Sequence, residues 1–154
     1  MDKIVIYIDM DDTIVDFISS YKKVKDETGL EYPQSKVGFF EELPLIEGAR
    51  DVILWLDSKD IFDVYILTAP SIKNKHCYTE KAISIENNFG HDMLNKLIIS
   101  PNKGLNKGNY LIDDYIEGKG QENFEGELIT IGSEKFKGWQ EIKEYFKQKY
   151  ELGD

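Results

Sequence analysis

Five short runs of β-branched and apolar residues, at 4–8, 64–67, 97–99, 110–112 and 128–131, alternate along this chain with segments of helical periodicity. The first run, Ile4-Val5-Ile6-Tyr7-Ile8, is unbroken and stops abruptly at Asp9, as a central strand covered on both faces should. Helical spacing follows Gly48 at Val52, Ile53, Trp55 and Leu56, runs from Ala82 to Phe89 with Gly90 as its stop, and recurs at Trp139, Ile142, Tyr145 and Phe146. Strands alternating with helices predict an α/β fold with a parallel five-stranded, Rossmann-like sheet and right-handed crossovers.

One stretch breaks the alternation. Residues 17–46 separate the first strand from the helix after Gly48, and Ile14, Phe17, Ile18, Tyr21 and Val24 predict an amphipathic helix stopped by Gly29. Tyr32-Pro33 and Gly38-Phe39-Phe40 then read as a looser, aromatic segment. The expectation is a single domain over 1–154, with a core at about 1–16 and 47–154 and a small helical cap at about 17–46; no repeat or flexible linker divides it.

With 29 acidic against 19 basic residues the net charge is -10, which repels a polyanion and argues against a nucleic-acid polymer as partner. A small anionic substrate remains compatible, because a cation and one or two lysines can reverse the field inside a pocket. Cys77 is the single cysteine, so no intrachain disulfide forms and a reducing compartment suits the chain. The short, acidic start does not read as a signal peptide, and no run approaches the ~20 apolar residues of a membrane helix. A cytoplasmic protein with no membrane partner is expected.

Ligands of open parallel sheets bind beyond the carboxyl ends of the strands. The first strand is followed by Asp9-Met10-Asp11-Asp12-Thr13, where Asp9 and Asp11 point to one side in extended backbone and can share a substrate. Thr68 follows the second, with a hydroxyl and an amide suited to phosphate oxygens; Lys103 follows the third as a compact cation. Asp113 and Asp114 follow the fourth, hard oxygen ligands of the kind Mg²⁺ takes.

This order of Asp-x-Asp-x-Thr, Thr, Lys and Asp-Asp at successive strand ends resembles the motif series of the haloacid dehalogenase (HAD) superfamily, and the resemblance spans nearly the whole chain. Within that superfamily, Leu67-Thr68-Ala69-Pro70, Glu80-Lys81, Ile85-Glu86-Asn87-Asn88-Phe89-Gly90 and Leu111-Ile112-Asp113-Asp114 look like the 5'(3')-deoxyribonucleotidases, as does Phe39-Phe40 ahead of Leu43-Pro44-Leu45. The spacing from Lys103 to Asp113-Asp114 also resembles that family, and the resemblance favours Lys103 over Lys107 as the motif lysine. The resemblance implies a Mg²⁺-dependent phosphatase with Asp9 as nucleophile, Asp11 as acid/base, and Thr68 and Lys103 on phosphate. It implies that Asp9, the backbone carbonyl of Asp11, and Asp114 or Asp113 hold the metal, Asp114 being the favoured direct ligand and Asp113 a lysine or metal-water partner. Crowding among Asp9, Asp113 and Asp114 is the reason offered for a protonated Asp11. Thr13, Phe17, Phe40 and Ala69 are the further expected substrate contacts, the two phenylalanines falling where a nucleobase would stack. The expected partner is a small phosphate ester, a deoxynucleoside monophosphate first, and a homodimer is an open assembly.

Each feature has a plainer account. Asp9, Asp11 and Asp12 could be turn or helix-cap residues, Thr68 a strand-end cap, and the four aromatics Phe17, Tyr21, Phe39 and Phe40 simple core. His76 and His91 read as surface residues and Cys77 as half-buried packing. The insertion departs from the mammalian deoxyribonucleotidases it resembles: it is shorter, has no tryptophan, and Pro101 stands where an arginine is expected near the motif lysine. The alternatives are a phosphatase of another small ester such as a sugar phosphate, a receiver-like module, whose phospho-acceptor would follow the third strand, and a non-catalytic phosphate-binding module.

Overall fold

The computed structural model describes residues 2–154. Five strands, β1 (Ile4–Ile8), β2 (Phe62–Thr68), β3 (Leu97–Ile99), β4 (Tyr110–Asp113) and β5 (Glu127–Thr130), form one sheet in the order β3-β2-β1-β4-β5. Every pairing is parallel, as the alternating sequence requires. The order reverses at β1, with β2 on one side and β4 on the other, so the crevice beyond the carboxyl ends opens where Asp9 and Asp113 stand side by side.

The helices are α1 (Phe17–Thr28), α2 (Ala49–Asp57), α3 (Cys77–Phe89) and α4 (Trp139–Tyr150). Their apolar faces meet Ile6, Ile8, Val64, Ile66, Tyr110 and Ile112 in one core that also takes up Phe39, Phe40 and Leu43 of the insertion. The opposite face, with Tyr7, Leu67 and Leu111 at its centre and Val5, Tyr65, Ile98 and Leu128 half-buried around them, is covered by Phe124 and by no helix. β1 is thus covered on both faces, as its unbroken apolar run implies, but by helices on one and by loop residues on the other. The β3–β4 and β4–β5 connections are short and hold only 3₁₀ turns, at Lys103–Leu105 and Gln121–Asn123, so no α-helix crosses that side.

The α1 start is also corrected. Ile14 lies before the helix, in the loop after β1, where it is fully buried. Asp16 caps α1 through Ser19 N–H at 3.0 Å, and Gly29, in the left-handed region at φ 69°, stops it as expected. The half-buried Phe17, Tyr21 and Val24 turn to the common core, so the insertion and the sheet share one interior.

Candidate active site

The loop leaving β1 is closed on itself: the amides of Thr13, Ile14 and Val15 all donate to the carbonyl of Met10, and Asp12 takes the left-handed conformation at φ 59°. That turn buries Thr13 beneath Asp9 and lifts Asp12 away, whose Oδ1 accepts from Phe17 and Ile18 N–H at 2.9 and 3.1 Å. The helix-cap reading therefore holds for Asp12. Burial raises the Asp12 carboxyl, and those two amides oppose the shift.

Asp9, only 6% exposed, has both oxygens held: Thr13 Oγ1 donates to Oδ2 at 3.0 Å and Lys103 Nζ to Oδ1 at 2.7 Å. The same ammonium donates to Asp113 Oδ2 at 2.5 Å, where Gln121 Nε2 also donates at 3.2 Å. Lys107 contributes only a backbone carbonyl, which accepts from Tyr7 OH. Lys103 is brought in by its loop, whose amide donates to Lys119 O at 2.7 Å beside Gly120, a left-handed glycine with no room for a Cβ.

Carboxylate oxygens of Asp9, Asp113 and Asp114 all lie within 4.8 Å of one another. Burial alone would lower Lys103, but Asp9 and Asp113 more than reverse it, so the ammonium stays charged. Burial raises Asp113, with Asp9 adding and Lys103 opposing. Asp114 is pushed up to about 9 by burial and by Asp9 and Asp113. Asp11 stands outside this cluster and pairs with Lys81 at 3.1 Å. Three carboxyls meet at this spot and Lys103 bonds only two of them, and a hard divalent cation is the group that such a donor set fits.

Thr68 ends β2 fully buried, its hydroxyl accepting from Lys81 Nζ at 2.5 Å. Lys81 comes from α3 and is completely buried; the sequence showed it only as part of a Glu-Lys pair, without a role. Next to it, Glu80 Oε1 accepts from Phe40 N–H at 3.1 Å, which fastens the insertion to α3.

Above the carboxylates lies a cavity of about 330 Å³, lined by Asp9, Asp11, Asp113 and Asp114 on its floor with Lys103, and by Phe17, Ile18, Gln34 and Phe40 on the insertion side. This volume is within the range of small-molecule sites. Phe17 and Phe40 lie 6.1 Å apart centre to centre and each packs edge-on against Phe39, so both line the cavity while belonging to the core. Ala69, Pro70 and Ser71 form the β2 side, and Tyr115, Lys119 and Gln121 the β4 side. Thr13 and Thr68 are not in that lining: they sit one layer below, against Asp9 and Lys81. Gln34, Ser71, Tyr115, Lys119 and Gln121 gave no sequence signal, since loop polar residues are common and only the folded turns bring these to the cavity. His76 and His91 are exposed. Cys77 is fully buried, not half-buried, at the first turn of α3, and burial raises its thiol.

No protein-family model matches the sequence. A Vibrio phage KVP40 protein, named by inference a 5'(3')-deoxyribonucleotidase, is 32% identical over 148 residues, covering 94% of this chain and 85% of the phage protein. The human cytosolic-type 5'(3')-deoxyribonucleotidase is 34% identical over 85 residues, which cover 55% of this chain and 42% of the human enzyme. Among solved structures, a HAD hydrolase from Bacillus subtilis, crystallised bound to magnesium, shares the fold with a TM-score of 0.57 at 15% identity, over 86% of this chain and 88% of that one. The strand order, the series of strand-end residues and the phage relative agree, and the chain belongs to the 5'(3')-deoxyribonucleotidase family of HAD-type phosphoric monoester hydrolases.

Proposed function

We propose that this chain hydrolyses deoxynucleoside monophosphates by a Mg²⁺-dependent route through an aspartyl-phosphate on Asp9. The observation that carries the reading is Asp9 itself: a nearly buried carboxylate, oriented at both oxygens, with Lys103 at its side and an aromatic-walled cavity over it. The relatives named as deoxyribonucleotidases support the substrate class.

Asp9 attacks phosphorus, forming an acyl-phosphate bond as the bond to the leaving oxygen breaks. Asp11 gives its proton to that oxygen, then takes one from the water that attacks phosphorus in the second step, which frees inorganic phosphate and restores Asp9. Lys103 offsets negative charge on the transferring group and keeps Asp9 from turning away. The loop 69–71 bounds the phosphate end with Thr68 one layer beneath it, Thr13 steadies Asp9 from below, and Phe17 and Phe40 offer faces to a base. Asp9, Asp114 and Asp113, with the Asp11 carbonyl, would hold Mg²⁺, which when bound supplies the positive charge that lets a carboxylate meet a phosphate dianion. Asp113, already bonded to Lys103 and Gln121, suits the partner role, which leaves Asp114 as the freer ligand.

The test is phosphate release from 5'- and 3'-deoxyribonucleotides, ribonucleotides and sugar phosphates, with and without Mg²⁺, beside Asp9→Asn. Magnesium-dependent turnover concentrated on deoxyribonucleotides and lost in the variant is expected. Turnover on sugar phosphates alone would sink the substrate class, and turnover without added metal after chelation would sink the cofactor.

A further inference from the structure

A lysine ammonium withdrawn from water must have its three N–H donors answered by the protein. Lys81 is 0% exposed, and its Nζ donates to Asp11 Oδ2 at 3.1 Å, Thr68 Oγ1 at 2.5 Å and Ala69 O at 2.8 Å. The set is complete. These acceptors come from the ends of β1 and β2, so one side chain from α3 ties together the two strand ends that form the floor and the phosphate side of the site. The Phe40 ring, 5.3 Å from Nζ, packs against the ammonium, and Lys81 is absent from the cavity lining.

A lysine meant to grip a substrate phosphate would keep a donor free toward the cavity; Lys81 keeps none. The effect is on Asp11. Its Oδ2 accepts from Lys81, its Oδ1 is buried without a hydrogen-bond partner among the described residues, and the side chain as a whole stays 30% exposed at the cavity wall.

We infer that Lys81 is a positioning residue: by holding Asp11 through Oδ2 against Thr68 and Ala69, it fixes the carboxyl in the orientation from which it exchanges a proton with the leaving group and the attacking water. The inference rests on the reading of Asp11 as acid/base. It assigns to α3 a part in turnover and none in substrate affinity. The neighbouring Glu80, bonded to Phe40 N–H and to Asn74, fixes the aromatic wall from the same turn of the helix.

Lys81→Met, Asp11→Asn and the double variant, each checked by circular dichroism and thermal melting, are to be assayed on a deoxynucleoside monophosphate and on p-nitrophenyl phosphate, whose leaving group needs little protonation. Lys81→Met is expected to lower kcat on the nucleotide about 30- to 100-fold, at or below the lower end of a full acid/base contribution of about 10²- to 10⁴-fold, with KM changed less than about threefold. Across the two esters it should reproduce the pattern of Asp11→Asn at smaller amplitude, and in the Asp11→Asn background it should cost less than about threefold more. A loss confined to KM, a pattern unlike that of Asp11→Asn, or losses that multiply in the double variant overturn the inference. Lys81→Gln, which retains a neutral donor, is the second variant; if neither substitution yields a folded chain, Lys81 is a structural residue and the inference is overturned. An active wild type indifferent to Lys81→Met overturns this inference alone, whereas a wild type inactive on both esters overturns the proposed function and this inference with it.

Discussion

The indole Nε1–H of Trp139 donates to the backbone carbonyl of Thr13 at 2.9 Å in a fully buried contact. The first residue of the last helix therefore holds the loop that carries Asp9 and Asp11. Trp139→Phe leaves the Thr13 carbonyl buried and unpaired, which costs about 1–3 kcal/mol, and the smaller ring leaves a void beside it. A lower urea midpoint and reduced turnover are expected together. A variant with wild-type midpoint and wild-type kcat would show that the bond has no hold on the loop.

Asp114 sets a pH dependence of the metal-free protein. Its carboxyl rises from 3.8 to about 9 on folding, through burial and the nearness of Asp9 and Asp113. Between about pH 4 and about pH 9 the folded chain keeps a proton that the unfolded chain has released, so stability falls as pH rises through that window and levels off above it. In chelator-treated protein the melting temperature should drop across the window, and Asp114→Asn should flatten the drop. Added Mg²⁺ should raise the melting temperature more at the alkaline end, since protons and cation compete for the same oxygens. A slope that Asp114→Asn leaves untouched would place the titration elsewhere.

Gly120 decides where Lys103 stands. At φ 88° it occupies backbone space that side chains rarely adopt, and a Cβ there would overlap Asn102 Oδ1 and come within 2.8 Å of Lys103 N. Lys103 N–H is itself bonded to Lys119 O at 2.7 Å, so the loop cannot retreat without losing that bond. Gly120→Ala should lower kcat on the nucleotide by about 10- to 100-fold, because a displacement near 1 Å at the chemistry is worth as much. Circular dichroism should remain native, since the sheet does not depend on this turn. Unchanged turnover in a folded Gly120→Ala chain would mean that Lys103 tolerates the shift.

Much of this molecule could be read from short-range pattern. β-branched runs broken by helical periodicity determined a parallel sheet, and carboxylates at the ends of the first and fourth strands determined where Asp9, Asp113 and Asp114 would meet, since neighbouring strands bring their carboxyl ends to one edge. Lys103 followed from its place ahead of β4. What sequence could not show depended on packing between distant segments. Lys81 looked like an ordinary helical lysine, because nothing local tells that its side of α3 faces Asp11 and Thr68 and not water. The raised carboxyl of Asp114 and the ion pair of Asp11 with Lys81 were not legible either, as the depth of each group and its counter-charge are set by which loops close over it. Thr13 and Thr68 sat below the cavity floor for the same reason. Their identities made them candidates for phosphate, while the buried turn at 10–15 and the reach of Lys81 turned their hydroxyls to the protein's own carboxylate and ammonium. Residue type and spacing place chemistry along a strand; burial and partner choice, which set the charge and direction of each group, exist only once the loops have packed.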